Sequence, residues 1–470
     1  MMTSKYSVVA AALVAAASAY CAGPKYVFLF IGDGMSVPQR MTANEFSVKI
    51  GNGPLEMNSL PVSGLARSCS ADSLITDSAA AATAIACGQK TNNHFSGVDP
   101  DGNPLESCAV VAQKAGRKIG ILTTVTITHA TPAGFYAHRN NRGDTWGIST
   151  DLADSGFDFF AGGGLGGPVD DSPTNRYLYA ESKGYTLITN RADFAALKPG
   201  CGKILTKFTN DALETAIDWD ESLDQPKLNE IVTKAIEVLD NEQGFFIMCE
   251  GGRIDWAGHG NDAATNLRDV LALNDAVKVA LAFQEKHPDE TLVVVTGDHE
   301  TGGMTMGFEG TGYNFYPQNL ACQTMSVGKF NNEVKKIFLE KKAAVEFDDV
   351  KPLISRAFGF KFDGEVEKDM MVVREKELAA LVKAYEHDVK LLKEGVKETD
   401  DYMAKLRYTL GNACRKILSH KCGLDWTSGS HTAMPVLTTA KGVNAEKFAG
   451  FYENTEIGNR IKAMYAPAAK

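Results

Sequence analysis

The chain has 470 residues, 44% of them hydrophobic and 23% charged, with a formal net charge of −10. That is ample for a large core, as one big α/β domain with insertions or as two domains. The acidic balance excludes a nucleic-acid footprint, which needs a clustered basic face; phosphate esters remain accessible where metal ions or an arginine supply local positive charge.

The first 22 residues read as an export signal. Lys5 precedes the apolar run "SVVAAALVAAASA" from Ser7 to Ala19, which ends in small residues and is too short to span a bilayer. Cleavage after Ala19 or Ala22 fits this pattern, and the mature protein is then expected in the periplasm or outside the cell. Cys21 offers a lipid-modified terminus, but the bulky Tyr20 before it argues against one. No later segment is apolar and long enough to be a transmembrane helix.

Beyond the signal, short apolar runs alternate with glycine-rich loops and helical patterns. "KYVFLFIGDGM" (Lys25 to Met35), "RKIGILTTVTITHATPAG" (Arg117 to Gly134), "GFFIMCEGG" (Gly244 to Gly252) and "ETLVVVTGDHETGG" (Glu290 to Gly303) each predict a buried strand. Between them, Asp262 to Lys286 predicts a long helix. The fold class is therefore α/β, with a mostly parallel central sheet covered by helices on both faces. "LITDSAAAATAIACG" (Leu74 to Gly88) predicts a helix that opens with Asp77 and Ser78. Either residue serves as an N-cap, and a serine there is also a candidate nucleophile, because a helix start attracts anions. "AGGGLGG" (Ala161 to Gly167) is expected to be a flexible loop, since it lacks the order of a nucleotide-binding fingerprint. Residues 310–425 read as a mainly helical insertion, carried by the charged stretch Arg374 to Leu418. Residues 23–309 and 426–470 form the remaining core. Of the nine cysteines, Cys414 and Cys422 are close enough in sequence to suggest a bridge after export.

Acidic residues and histidines cluster just after the predicted strands. Asp33 follows "VFLFI"; Glu250, Asp255 and His259 follow "FFIMC"; Asp298 and His299 follow "LVVVT". In open α/β sheets the site lies beyond the carboxyl ends of the strands, so these side chains should converge. Singly, each carboxylate reads as a turn former or a helix cap. Jointly, they would repel one another in a buried crevice unless cations were bound. Asp255 and His259, four apart, share a helix face. Imidazoles with carboxylates suit zinc, and sets of oxygen ligands suit magnesium. Such metals would activate Ser78, for which no hydrolase elbow supplies a base.

The stretches "FIGDGM", "TDSAAAATA", "THATPAGFYAHRNNR", "EGGRIDWAGHG", "TGDHETGG" and "GSHTAMPV" resemble those of the alkaline phosphatases. The resemblance spans about Lys25 to Gly310 and resumes near Trp426. It implies hydrolysis of phosphate monoesters through a phosphoserine on Ser78, with two zinc ions and one magnesium. One zinc would be held by Asp255, His259 and His431, and the second by Asp33, Asp298, His299 and Ser78. The magnesium would be held by Asp33, Thr131 and Glu250, with Asp33 bridging two metals. Arg142 would grip the non-bridging oxygens, with Asp77 beside it. His129 and Trp256 stand at positions where members of the family differ, and are expected beside the metals or the substrate. A homodimer is one open option, and the helical stretch leaves both assembly and substrate entry undecided. The rival readings are a phosphodiesterase on the same scaffold and a non-catalytic metal- or phosphate-binding protein. No sulfatase C/S-x-P-x-R pattern occurs.

Overall fold

Three unbroken apolar runs make the middle of a ten-stranded sheet in the computed structural model, which describes residues 23–166, 175–393 and 410–465. The strands are β1 (Tyr26–Gly32), β2 (Val62–Arg67), β3 (Lys118–Thr123), β4 (Phe159–Ala161), β5 (Tyr185–Ile188), β6 (Lys203–Thr206), β7 (Phe245–Gly251), β8 (Thr291–Gly297), β9 (Glu300–Thr301), β10 (Met304–Met306), β11 (Leu424–Trp426), β12 (His431–Thr432), β13 (Val436–Gly442) and β14 (Gly450–Glu453). The large sheet runs in the order β14-β2-β13-β8-β1-β7-β3-β4-β6-β5. All its pairings are parallel except those of β13 with β2 and β8. Every residue of β1, β7 and β8 is buried, because helices cover both faces and no side chain of these strands meets water.

Register carries the sheet's main consequence. Gly32 at the end of β1 pairs with both Gly251 of β7 and Gly297 of β8, and Glu250 pairs with Thr123 of β3. Asp33 and Asp298 therefore leave the sheet at one level, just beyond the row of Gly32, Gly251 and Gly297, and Glu250 lies one row before it, all at the carboxyl edge. A slip of one residue in any of these strands would turn its side chains to the opposite face.

The helices that matter for the site are α1 (Ser78–Cys87), α2 (Arg253–His259) and α3 (Ala263–Lys286). Asp262 caps α3 by accepting from the Thr265 backbone N–H. Four more helices, α4 (Val327–Lys341), α5 (Phe347–Phe358), α6 (Glu375–Lys393) and α7 (Leu410–Cys422), fill the stretch between β10 and β11. Their buried Phe330, Phe338 and Phe358 belong to the same apolar cluster as Phe28 and Phe30 of β1. β10 and β11 pair antiparallel, Met304 with Trp426 and Met306 with Leu424.

Two sequence expectations are corrected. Cys414 and Cys422 are free, buried thiols on one helix. Eight residues of helix separate them by about 12 Å, far beyond disulfide reach. The glycine run after β4 is packed rather than loose. Ala161 to Leu165 are buried, and a Cβ at Gly163 or Gly164 would meet the carbonyl of Asp211 or Thr209 within 2.4 Å. The glycines are there for close backbone approach. The expected signal, residues 1–22 with Cys21, lies outside the described residues. Among those described, no helix is long and apolar enough to cross a membrane.

Candidate active site

Asp77 and Ser78 turn out to combine the two readings of that helix start. The Asp77 side chain accepts from Ala80 N at 3.0 Å and so caps α1. All ten residues of α1 are buried, and Gly134 and Gly458 pack so close to it that a Cβ at either would meet Ala82 or the Ile85 carbonyl within 2.9 Å. Ser78, only 2% exposed, sits at the first turn with its Oγ 3.2 Å from Nε2 of His299. Arg142 donates to the second oxygen of Asp77 at 3.0 Å, and its backbone N–H is tied to the His94 carbonyl.

Three groups of candidate ligands surround this serine. Within each, one donor atom per residue lies within 4.8 Å of the others: Asp255, His259 and His431; Asp33, Asp298 and His299; Asp33, His129 and Glu250. In the first group α2 presents Asp255 and His259 on one face. His431 arrives from β12, which pairs with β9 so that His431 faces Thr301. His259 Nδ1 lies 2.8 Å from the Gly429 carbonyl, and His431 Nδ1 lies 2.8 Å from that of Thr76. A carbonyl only accepts, so each Nδ1 carries the proton and, in the neutral ring, each Nε2 presents a lone pair. Those two Nε2 atoms face each other at 3.2 Å, with Asp255 oxygens at 3.4 and 3.5 Å. Converging lone pairs and a carboxylate suit a metal ion that prefers nitrogen and oxygen donors.

The second group is wholly buried. His299 Nε2 lies 3.3 Å from both Asp33 Oδ1 and Asp298 Oδ2. Neither oxygen has a hydrogen-bond partner among the described residues. Thr301 Oγ1 bonds Asp255 Oδ1 at 2.6 Å and lies 3.2 Å from His299 Nδ1, so one hydroxyl orients ligands of both groups. In the third group Asp33 turns its other oxygen, Oδ2, toward Thr131 Oγ1 at 3.4 Å and His129 Nδ1 at 4.0 Å. Glu250 takes a hydrogen bond from Thr123, while its Oε1 and His129 Nδ1 lack partners. His129 thus offers a ligand atom of its own.

The electrostatics agree. Burial, then the charges of Asp298, Asp255 and Glu250, push Asp33 well above the ordinary carboxylate range. Burial likewise raises Glu250 to about 8 and Asp298 to about 7. Burial also acts upward on Asp255, but the His431 hydrogen bond and the charges of His299 and His259 outweigh it and hold that carboxyl low. His129 is pulled down to about 4 by burial and by Arg142. Carboxylates this reluctant to ionise, with orphaned oxygens aimed at one another, fit a site built around cations.

Exposed His94 lies 3.5 Å from Asp77 Oδ2, while two other histidines stay apart from the ligand groups. His420 lies 3.2 Å from Asp425 and packs on Phe308, and His387 neighbours Asp388. Trp256 sets its edge to His129 with ring centroids 5.9 Å apart and carries the Arg253 guanidinium over its face. Sequence reasoning missed Thr301, Thr123 and the carbonyls of Thr76 and Gly429. Thr301 stands inside "TGDHETGG", yet its double contact depends on a partner 46 positions away; the two carbonyls leave no mark in the sequence.

A sequence profile described as Alkaline phosphatase matches residues 24–156 and 173–466. Alkaline phosphatase 3 of Bacillus subtilis is 31% identical over 395 residues, 82% of this chain and 76% of that protein. Among solved structures, the cold-active alkaline phosphatase of the psychrophile Shewanella sp. superposes with a TM-score of 0.78 and 28% identity, over 94% of this chain and 100% of that one. A His-to-Asp variant of the alkaline phosphatase from TAB5, with magnesium in its M3 site, superposes with a TM-score of 0.64 and 26% identity, over 95% and 99% of the two chains.

Proposed function

Since this chain belongs to the alkaline phosphatase family and is a metal-dependent phosphate monoester hydrolase, we propose that Ser78 is its nucleophile and carries the phosphoryl group between two half-reactions. Asp255, His259 and His431 would hold one zinc ion; Asp33, Asp298 and His299, with Ser78 as fourth ligand, would hold the second. Asp33, Glu250 and Thr131 would hold magnesium, with His129 at its edge; the magnesium in the M3 site of the TAB5 variant supports a third cation. When bound, these ions supply Lewis acidity that lowers the pKa of a coordinated hydroxyl or water and offsets charge on the entering and leaving oxygens.

The chain's own groups do the rest. Arg142, braced by Asp77, receives two non-bridging oxygens of the substrate in bidentate fashion. The α1 terminus adds backbone N–H groups to the same anion. Ser78 Oγ, having lost its proton to solvent, attacks phosphorus in line. The Oγ–P bond forms as the bond to the ester oxygen breaks, and that oxygen departs on the side of His259 and His431. Water then attacks the phosphoserine, Ser78 Oγ leaves and regains a proton, and inorganic phosphate is released.

The observation that supports this reading is the position of Ser78 Oγ at a helix start, 3.2 Å from His299 Nε2, which itself lies 3.3 Å from the unpartnered Asp33 and Asp298 oxygens. Acid quenching in labelled phosphate should trap label on the peptide containing Ser78, and Ser78→Ala should retain its metals without trapping label. Label on another residue would overturn the assignment. Turnover of p-nitrophenyl phosphate well above that of its bis ester would set aside the diesterase reading. We also propose that residues 1–22 direct export, and that 310–425 is an insertion into a core of 23–309 and 426–470.

A further inference from the structure

A groove of about 930 Å³ opens directly beside His259 and Trp256 and runs between α2 and the helical stretch. Arg253, Asn331, Arg415 and Ser430 line it. Two arginines and one carboxylate, Asp262, line it. Arg415 donates to neutral acceptors, Asn412 Oδ1 at 2.9 Å and the Asn261 carbonyl at 3.2 Å, and no carboxylate among the described residues comes within 4.0 Å of it. Arg253 donates to the Leu213 carbonyl, stacks on Trp256 and reaches Glu214 only at 4.0 Å. The acid in the wall, Asp262, is fully engaged. Its oxygens accept from the Thr265 backbone and hydroxyl, Gln323 Nε2 and the Val327 N–H. The lining thus carries two guanidiniums, each bonded directly to neutral oxygens, against the single carboxylate of Asp262, and it is net positive in a chain of net charge −10.

We propose that this groove is a leaving-group subsite selecting phosphate esters that carry a second phosphate. The inference rests on the Ser78 reading above. In-line attack from Ser78, beside His299, sends the leaving group to the opposite side of phosphorus, where His259 stands and the groove begins. A leaving group bearing its own phosphate enters the groove, and Arg253 and Arg415 receive it. Trp256 walls the junction between the reacting centre and the groove.

The test compares kcat/KM for fructose 1,6-bisphosphate and fructose 6-phosphate, with p-nitrophenyl phosphate as a reference. The wild-type protein should prefer the bisphosphate by about tenfold, the scale of one charge-assisted contact. Arg415→Gln and Arg253→Gln should each remove most of that preference, and Asn331→Asp, which adds a negative charge to the wall, should reverse it. The ratio of two substrates cancels any general loss of active protein. Asn331→Asp keeps the test decisive if a buried arginine proves necessary for folding. An undiminished preference in the folded variants, or no preference in a wild-type protein that hydrolyses p-nitrophenyl phosphate, overturns the subsite. A wild-type protein inert toward p-nitrophenyl phosphate overturns the Ser78 reading itself.

Discussion

Replacing Arg142 by alanine should separate phosphate binding from folding. The guanidinium is held on one side by Asp77 Oδ2 at 3.0 Å, which leaves its remaining N–H groups for two substrate oxygens. The backbone of the same residue stays bonded to the His94 carbonyl at 2.8 Å, so the loop keeps its anchor in the variant. A lost bidentate, charge-assisted contact costs about 1.5–3 kcal/mol, or roughly 10- to 150-fold in affinity. Asp77, with its side chain only 13% exposed, would then face the incoming anion without its cation, which acts in the same direction. The measurement is the inhibition constant of inorganic phosphate against p-nitrophenyl phosphate at fixed ionic strength. The constant should rise by that factor, KM should rise with it, and the melting temperature should barely move. Asp77→Asn in the Arg142→Ala background should recover part of the loss. An inhibition constant unchanged within about twofold would refute the reasoning. Arg139 would not then inherit the role, because Asp151 already holds it through Nε at 2.9 Å and Nη2 at 2.6 Å.

Glu250→Gln should lower magnesium content while leaving about two zinc ions per chain, the number of a paired-metal centre; elemental analysis that finds all metals lost together would merge the three groups into one. His431→Ala should remove about one zinc ion and nearly abolish turnover, since a catalytic zinc needs three protein ligands, whereas His420→Ala should leave both intact; the opposite pattern sinks the ligand set. Asp269 is buried and belongs to none of the three candidate ligand groups, and burial raises its carboxyl to about 7. In the unfolded chain it titrates near 4, so the folded state binds the extra proton between these values and stability falls as pH rises through that window. Asp269→Asn should therefore gain stability over the wild-type protein from about pH 4 to pH 7, levelling above at no more than about 4 kcal/mol; parallel melting profiles across that range would contradict it.

The central strands were legible because β1, β7 and β8 are continuous apolar runs that stop at a glycine and a carboxylate. β4, β9 and β12 were not, because two or three residues carry no period. Asp255 and His259 could be paired from their spacing on one helix. His431 was reachable only through family resemblance, since its neighbours in space lie 172 positions away. The glycine run after β4 misled because glycine marks both looseness and tight backbone contact, and only the neighbours at Thr209 and Asp211 distinguish them. Cys414 and Cys422 misled because nearness in sequence on a helix is separation in space.

The pairing of β10 with β11 has a consequence for how this architecture can diverge. Met304 and Trp426 are ladder partners, so the chain leaves the core and returns to it at one place. Antiparallel partners stand about 5 Å apart, whatever the length of chain between them. The helical stretch behaves as the head of a very long hairpin, and its length is decoupled from the spacing of Asp298, His299 and His431 on either side. Residues added to or lost from that head, outside the positions of Phe330, Phe338 and Phe358 in the shared core, leave the β10–β11 junction in place. What they change reaches the groove wall through Asn331 and Arg415 instead, so on the roles proposed above ester preference would drift among descendants of this sequence while the nucleophile stays in place.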